Sequence, residues 1–215
     1  INSHENRIFV NLEKKVFKSK LLFDSRLEIK EVQKKDLLQH FYGAEVVFEK
    51  KILNRDEIIL MDILKHKNLF HFMYILPFSE KKMLIETTYF STKVLSLKEY
   101  KKDIKDYMYK NFGEIKFKIK FFESGVIPMF KINQSKIKNY IRIGVSGNWN
   151  KLSTGYSLQN SFTYARQIVD CILVGKYPSI KENYIYNFLD QTLCKFIKNN
   201  PQKTAFFFKR FFKNN

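Results

Sequence analysis

The feature that most constrains the fold is a series of strand-like segments followed by one sharply bounded helix. Four β-rich runs, separated by polar turns, occupy residues 38–49, 57–63, 69–78 and 82–90. Runs of β-branched and aromatic residues between polar turns are typical of strands. Pro77 lies near the end of its run, which indicates a strand end or an edge strand, because proline donates no ladder hydrogen bond.

A helix is predicted over residues 96–112. Ser96 and Glu99 have the S-x-x-E spacing of a capping box, in which each side chain bonds the backbone N–H of the other residue. Apolar residues then recur at helical spacing with lysines on the opposite side: Ile104, Tyr107 and Met108. Gly113 is expected to end the helix.

The rest of the chain mixes strands and helices. Ile8 and Leu22 lie in short apolar runs that predict strands. Residues 115–122 predict an antiparallel strand with a solvated lysine face, and residues 125–129 form a second apolar run that Pro128 breaks. A buried strand is predicted over residues 140–145, and helices are predicted over residues 157–173 and 182–199. This order predicts an α+β (mixed α/β) fold rather than a regular βαβ alternation.

Composition limits the class of protein. A chain of 215 residues with 45% hydrophobic residues has enough apolar material for one domain, or one and a half. The net charge of +18 would attract polyanions. We nevertheless predict no nucleic-acid partner, because the lysines are scattered along the whole chain and no helix carries a concentrated basic stripe.

The first candidate site is the segment that links the strand at residues 140–145 to the helix at residues 157–173. Gly144 and Gly147 would let the backbone approach a ligand closely. The helix N-terminus after Gly155 offers free N–H groups and a dipole that favour a phosphate, and hydroxyl donors lie beside it: Ser153, Thr154 and Ser157. The alternative is an ordinary capped helix that follows a loop.

The second candidate is Glu86. A period of two places Leu84, Glu86 and Thr88 on one face of a strand, and Ile85, Thr87 and Tyr89 on the other. A carboxylate among apolar and aromatic side chains has a raised pKa, because desolvation disfavours its charged form. A general acid that works near neutral pH needs such a pKa. The alternative is that Glu86 lies on a solvated face.

Other chemistry has little support. No metal site is predicted, because the histidines lack the spacing of metal ligands and have no partner cysteines: His4, His40, His66 and His71. Asp24 and Arg26 are expected to form a local ion pair. Two cysteines, Cys171 and Cys194, cannot build a disulfide framework, which favours a reducing compartment.

Several short stretches, taken together and in order, resemble the flavin-dependent lycopene cyclases of carotenoid biosynthesis. They are residues 23–26, 39–46, 60–62, 74–79, 84–88, 125–129 and 153–157. Leu84-Ile85-Glu86-Thr87-Thr88 falls on the acidic motif that plant members write F-L-E-E-T. Ser153-Thr154-Gly155-Tyr156-Ser157 resembles a late flavin-contacting loop.

The resemblance implies a flavoprotein architecture and site residues. Residues 1–35 would be remnant strands of an FAD-binding domain, residues 36–130 a substrate-side sheet, residues 131–175 an FAD-contacting strand–loop–helix, and residues 176–215 a C-terminal helical segment. The residues implied to contact FAD are Arg26, Gly144, Gly147, Ser153, Thr154, Gly155 and Tyr156. Glu86 would be the catalytic acid.

The sequence departs from the family pattern in two places that matter. Family members begin with a βαβ unit that carries G-x-G-x-x-G for the pyrophosphate of the cofactor. This unit is missing, so we expect the chain to be an incomplete, N-terminally truncated piece. In the acidic motif, Thr87 replaces the second acid, which would affect activity or ring specificity if that acid shares the proton work.

The implied reaction is a redox-neutral cyclisation of a linear polyene. An acid protonates the terminal double bond, a neighbouring double bond attacks the cation, and loss of a proton leaves a β-ionone ring. The implied cofactor is reduced FAD, with NAD(P)H as the electron source for flavin reduction, and the implied substrate is lycopene or a related linear carotenoid.

Lycopene is insoluble in water, so the enzyme is expected to collect it from a bilayer. The tail from Phe206 to Lys213 interleaves aromatic residues with cations, which suits an interfacial segment. Together with this tail, the resemblance implies a cytoplasmic protein that associates peripherally with the inner face of a membrane. The alternative is a helix that packs its phenylalanine face on the domain.

Two other functions remain open at this point. The first is a related FAD-dependent hydroxylase or reductase with true redox turnover. The second is a basic, non-enzymatic module that binds RNA or a membrane, which would bind polyanions in a strongly salt-dependent way.

Overall fold

A computed structural model describes residues 1–4, 7–32, 36–66 and 68–213. The chain divides into two compact units. Unit 1 contains Ile1–Lys34 and Pro128–Leu193, and unit 2 contains Lys35–Ile127 and Cys194–Asn215. The predicted mixed α+β class is confirmed, because both units contain strands and helices. The four functional segments predicted from the sequence stay a prediction.

The elements are as follows in chain order. The strands are β1 (Asn2–His4), β2 (Arg7–Leu12), β3 (Lys15–Ser19), β4 (Leu22–Asp24), β5 (Leu38–Phe48), β6 (Ile59–Leu64), β7 (Phe70–Ser79), β8 (Lys82–Ser91), β9 (Phe117–Pro128) and β10 (Tyr140–Arg142). The helices are α1 (Ile29–Val32), α2 (Leu97–Phe112), α3 (Leu158–Leu173), α4 (Tyr184–Asn199) and α5 (Pro201–Lys213). A 3-10 turn (Gly144–Gly147) follows β10.

Unit 2 is built on a five-stranded sheet with the order β6-β7-β8-β5-β9. Strand β8 lies at its centre and pairs antiparallel with β5 and with β7. The four strands predicted over residues 38–90 are confirmed, and each observed strand ends within two or three residues of its predicted limits. Pro77 lies at a strand end, where the register of β7 and β8 shifts.

Period-two alternation gives this sheet two distinct faces. The helix face carries Tyr42, Ala44, Ile85 and Thr87, and apolar side chains of α2 pack against it to form the core of unit 2. We call the opposite side the acid face; it carries Phe41, Gly43, Phe72, Tyr74, Leu84, Glu86 and Thr88. Glu86 therefore projects away from α2.

Helix α2 begins and ends as the sequence predicts. Ser96 is the N-cap and its side chain accepts a hydrogen bond from the backbone N–H of Glu99, while the Glu99 carboxylate accepts from the Ser96 N–H at 2.7 Å. Gly113 ends the helix in a positive-φ conformation that favours glycine. Buried apolar residues line its inner side, as predicted: Ile104, Tyr107 and Met108.

The prediction for residues 115–129 is corrected in one respect. The two predicted segments form one continuous strand, β9, at the edge of the sheet. Its apolar residues Ile119 and Phe121 are exposed, where the alternation predicts a buried face. An edge strand has a neighbour on one side only, so its alternation does not guarantee cover for either face.

The C-terminal helices carry large exposed aromatic residues. In α5, Phe208 is buried and stacks on Phe70 of β7, with ring centroids 5.1 Å apart. Phe206, Phe211 and Phe212 of the same helix are exposed. No helix among the described residues is both long enough and apolar enough to span a membrane.

Unit 1 holds two small sheets. Strands β1, β2 and β3 form an antiparallel sheet, and β4 pairs with β10 in parallel. The sequence predicts β2 and β4 but misses β3, because every residue of β3 is exposed and the hydrophobic pattern is weak there. The buried strand predicted over residues 140–145 is wrong in length, since it gives way to the 3-10 turn after Arg142.

A buried ion pair joins distant parts of unit 1. The guanidinium of Arg142 donates two hydrogen bonds to the carboxylate of Glu31, at 2.6 and 2.7 Å. The two side chains are only 7% and 12% exposed. Removal of one partner from such a pair leaves an uncompensated buried charge, which is strongly destabilising.

We expect Glu31→Ala to lower the free energy of unfolding by about 3 kcal/mol, because Arg142 would stay buried without its counter-ion. Urea unfolding followed by circular dichroism measures the loss. The control is Lys30→Ala, which removes an exposed ion pair with Glu28 and should change stability by less than about 0.5 kcal/mol. Equal effects of the two substitutions would contradict the buried-pair interpretation.

Candidate functional site

Glu86 occupies the middle of the acid face of the central strand. In the register of the sheet it lies opposite Gly43 of β5 on one side and Tyr74 of β7 on the other. The predicted division of residues 84–89 between two faces is confirmed. The side chain of Glu86 is half-buried, so the alternative of a fully solvated face is wrong.

The environment of Glu86 favours the protonated acid. Burial raises the pKa of its carboxyl to about 7, the hydroxyl of Thr88 opposes this effect, and the charge of Glu123 adds to it. The Thr88 hydroxyl donates a hydrogen bond to Glu86 Oε1 at 2.7 Å. A carboxyl with a pKa near 7 can both hold and release a proton at neutral pH.

Apolar side chains surround the carboxyl. Phe41, Leu76 and Leu84 are half-buried on the same face, and Phe72 is buried. Gly125 of β9 leaves room for Phe41, because a Cβ at this glycine would lie 2.6 Å from the Phe41 ring. Glu86 is therefore set among apolar side chains on this face.

Thr87, at the position of the second motif acid, faces the other side of the sheet. Its hydroxyl lies 2.8 Å from His71 Nε2 and 3.5 Å from Asp103 Oδ2. Adjacent residues of a strand point to opposite faces. A second acid at this position could not act beside Glu86, so its replacement by Thr87 leaves the acid face unchanged.

In unit 1, Arg26 and Gly144 come together at one edge of the parallel pair β4–β10. Each follows the carboxyl end of its strand, and a Cβ at Gly144 would lie 3.8 Å from the Ser25 side chain. Ligands of α/β proteins bind at the carboxyl ends of parallel strands. Gly144 has a φ of 59°, in the left-handed region that favours glycine.

The predicted ion pair of Arg26 is confirmed. Its guanidinium donates to both oxygens of Asp24, at 2.9 and 2.7 Å, and the Tyr140 hydroxyl donates to the same carboxylate. These hydrogen bonds hold the pKa of Asp24 far below its usual range. The Arg26 side chain is 70% exposed, so it can contact a ligand while Asp24 holds it in place.

The loop before α3 is fixed by its own hydrogen bonds. Gly155, with a φ of 73°, donates its N–H to the Lys151 carbonyl. The buried Ser153 donates to Asp190 Oδ1 at 2.6 Å, so its hydroxyl hydrogen holds the loop to α4. Thr154 and Tyr156 are exposed and face outward.

Gly147 has a packing role in the structure. A Cβ at this position would lie 2.4 Å from the backbone oxygen of Arg142, so only glycine fits. Close packing therefore explains the glycine at position 147, and no contact with a ligand is needed to account for it. The assignment of Gly147, Ser153 and the other loop residues to a cofactor stays a prediction.

Sequence reasoning missed three residues of these two sites. Tyr74 lies beside Glu86 on the neighbouring strand β7, the charge of Glu123 acts on Glu86 from β9, and Asp190 holds Ser153. Gly43 was the available signal for Glu123, because its missing side chain leaves space that the Glu123 carboxylate occupies. In the described part of the chain, no group of three or more His, Cys, Asp or Glu side chains could hold a metal ion.

Comparison with solved structures identifies the class of fold. The chain is similar to a geranylgeranyl bacteriochlorophyll reductase-like protein from Thermoplasma acidophilum, with a TM-score of 0.52 and 12% identity over 88% of this chain and 50% of that chain. Tetracycline destructase Tet(51) gives a TM-score of 0.46 at 12% identity, over 90% of this chain and 57% of that one. The first likeness concerns the fold alone, and this chain spans half the length of that reductase-like protein.

The family follows from the sequence profile described as "Lycopene cyclase protein", which matches residues 2–214. The chain belongs to the lycopene cyclase family. The predicted family resemblance is therefore confirmed over nearly the whole chain. A comparison with curated proteins gave no match.

We expect Glu86→Gln to stabilise the protein at pH 8 and to have little effect below pH 5. The folded state holds its proton on Glu86 to about pH 7, while the unfolded state releases it near 4.5. Wild-type stability therefore falls as the pH rises between these values, by up to about 3 kcal/mol.

Urea unfolding at pH 5 and pH 8 measures the difference. Glu114→Gln, at an exposed residue just before β9, removes the same charge away from the acid face and serves as the control. A gain for Glu86→Gln that does not depend on pH would show that the carboxyl titrates at its ordinary value.

Proposed function

We propose that this chain carries the acid of a carotenoid cyclase and that Glu86 protonates the end of a linear polyene such as lycopene. Family membership supports the substrate class, and the observation that carries the mechanism is a half-buried carboxyl with a pKa of about 7 on an apolar face. Because the chain spans half of the reductase-like structure it matches, activity is proposed for the whole protein.

The proposed reaction is balanced in protons and electrons. Glu86 gives its proton to a carbon of the terminal double bond, which forms a C–H bond and a carbocation. A neighbouring double bond attacks the cation, and the new C–C bond closes a six-membered ring. Loss of one proton from the ring cation to solvent leaves a β-ionone end, and solvent returns one proton to Glu86, so the cycle gains no net proton and the substrate loses no electrons.

The acid face suits this chemistry for two physical reasons. Its apolar side chains exclude water, which would otherwise trap the cation. Aromatic rings of Phe41 and Tyr74 lie on either side of the Glu86 strand, and ring faces attract cations. Thr88 holds the Glu86 carboxyl in one orientation through its hydrogen bond.

We further propose that unit 1 contributes to FAD binding. Its residues fit this group: the exposed guanidinium of Arg26 and the left-handed Gly144 share one strand edge, and the loop through Gly155 leads into the N-terminus of the 16-residue helix α3. Thr154 and Tyr156 would contact the cofactor, while Ser153 and Gly147 would keep the loop in shape. Reduced FAD, with electrons from NAD(P)H, would supply negative charge to stabilise the cation.

The proposed location is the cytoplasmic side of a membrane, with peripheral attachment. Helix α5 supports the peripheral attachment, because Phe206, Phe211 and Phe212 are exposed beside exposed cations: Lys209, Arg210 and Lys213. Aromatic and cationic residues together favour an anionic lipid interface. The alternative is a helix that packs its phenylalanine face on the domain, and the stack of Phe208 on Phe70 is such a contact. In the proposal, α5 therefore packs on the sheet through Phe208 and contacts the membrane through its exposed rings.

The test of the reaction is pigment formation in lycopene-accumulating cells that express the intact protein. We expect cyclised product from the wild type and a loss of at least about 100-fold for Glu86→Gln, because general acid catalysis contributes about 10²–10⁴-fold. Glu114→Gln, far from the acid face, should keep wild-type activity. Folded, flavin-loaded protein without any ring product would reject the proposal.

The alternative of a hydroxylase or reductase gives a different result in the same assay. Such an enzyme consumes NAD(P)H in proportion to product, whereas a cyclase needs it only to reduce the flavin. A non-enzymatic polyanion-binding module would bind RNA with a steep salt dependence and form no product.

Membrane attachment is tested by sedimentation with vesicles. We expect the protein to bind vesicles that contain anionic lipid, and Phe206→Ser together with Phe212→Ser to weaken that binding by about tenfold or more, since both rings would leave the interface. Phe162→Ser in α3, also at an exposed phenylalanine, is the control. Equal binding by all variants would remove α5 from the interface.

A further inference from the structure

We propose that Glu123 is a positioning residue for Glu86: its carboxylate, held over Gly43, keeps the proton on Glu86 until the polyene takes it. This inference rests on the proposed function and adds a second carboxyl to it. The second carboxyl comes from β9, two strands away from β8 on the same face of the sheet, and not from the adjacent position of the acidic motif.

The geometry depends on Gly43. In the register of β5 and β8, Gly43 lies directly opposite Glu86. A Cβ on Gly43 would lie 3.0 Å from Glu123 Cγ and 3.2 Å from Glu123 Oε1. The Glu123 side chain therefore fills the space over Gly43 and reaches from β9 toward β8, two strands and about 10 Å away. The absence of a side chain at residue 43 lets the two carboxyls approach each other across β5.

The two carboxyls have different surroundings. Glu86 is surrounded by apolar side chains and accepts a hydrogen bond from Thr88. Glu123 is half-buried on the edge strand β9, next to exposed residues on both sides. Burial disfavours the charged form, so Glu86, in the drier environment, is the carboxyl whose pKa is raised.

The other ionisable groups on the acid face act less directly. Tyr74 lies opposite Glu86 on β7, and burial together with the charge of Glu86 raises its pKa, so its phenol stays neutral. Glu45 and Lys82 form an ion pair with each other at 2.9 Å, further along the same face. Glu123 is therefore the carboxylate whose charge acts on Glu86.

The charge of Glu123 also favours the return of a proton to Glu86 after each reaction. After each ring closure Glu86 is a carboxylate and must be reprotonated before the next turnover. A second negative charge nearby makes this carboxylate unfavourable and returns the proton to it. Without Glu123, a larger fraction of Glu86 would stay ionised at neutral pH, and that fraction of the enzyme would be inactive.

The decisive measurement is the pKa of Glu86 in the intact protein, followed by NMR of 13C-labelled glutamate carboxyls and assigned by comparison with Glu86→Gln. We expect Glu123→Gln to lower this pKa by about half to one pH unit, as the loss of a nearby like charge should. Glu114→Gln, which removes the same charge from an exposed residue before β9, should leave it within about 0.2 units, since exposed distant charges are screened.

Gly43→Ala provides an independent variant that keeps Glu123 itself. Its new Cβ would contact Glu123 Cγ and push the carboxylate away from Glu86. We expect the pKa of Glu86 to fall in this variant too. An unchanged pKa in folded Glu123→Gln, or an equal fall in Glu114→Gln, would overturn the inference.

A second readout separates the inference from the proposed reaction. In active enzyme, Glu123→Gln should move the alkaline limb of kcat to lower pH by the shift seen in NMR, whereas a structural defect would lower kcat at every pH. If the NMR shift is present but the wild type forms no ring product, the carboxyl pair stands and the proposed reaction fails. If ring product forms and the pKa does not move, the reaction stands and the role of Glu123 fails.

Discussion

The strict alternation of side chains along β8 is the constraint on which the rest of unit 2 depends. Along this central strand, the side chain of Glu86 lies on the acid face, that of Thr87 on the helix face and that of Thr88 on the acid face again. Because the strand pairs on both sides, it cannot slip by one residue without exchanging the two environments. The chemistry of the acid face is thus fixed by the packing of the other face.

The helix face shows how that register is held. His40 lies between the Tyr100 hydroxyl and the Ser91 hydroxyl, at 2.5 and 2.7 Å, and His71 stacks on Tyr89 with ring centroids 3.9 Å apart. Burial lowers the pKa of His40 to about 4 and that of His71 to about 3, so both rings are neutral at physiological pH. Neutral, hydrogen-bonded groups can be buried at low cost. His40 joins α2 to the end of β8 through Tyr100 and Ser91, and His71 joins β7 to β8 through Thr87.

The sequence predicts well where local rules decide the structure. The capping box of Ser96 and Glu99 sets the start of α2, and period-two alternation places Glu86 on the correct face. The edge strand β9 is different, because whether Ile119 is covered depends on neighbours that no local pattern describes. Glu123 shows the same limit: its contact with Gly43 joins residues 80 positions apart, which only the folded sheet brings together.

The stack of Phe208 on Phe70 covers the acid face at one end of β7. Phe70 lies four residues before Tyr74 on the same face of β7, so this wall stands about 13 Å along the strand from the rung of Glu86. In the proposed reaction, a stiff hydrocarbon lying along the strands would meet these two aromatic rings at that distance from Glu86. The C-terminal helix would then limit how far the chain passes the carboxyl, and so which of its carbon atoms come to rest there.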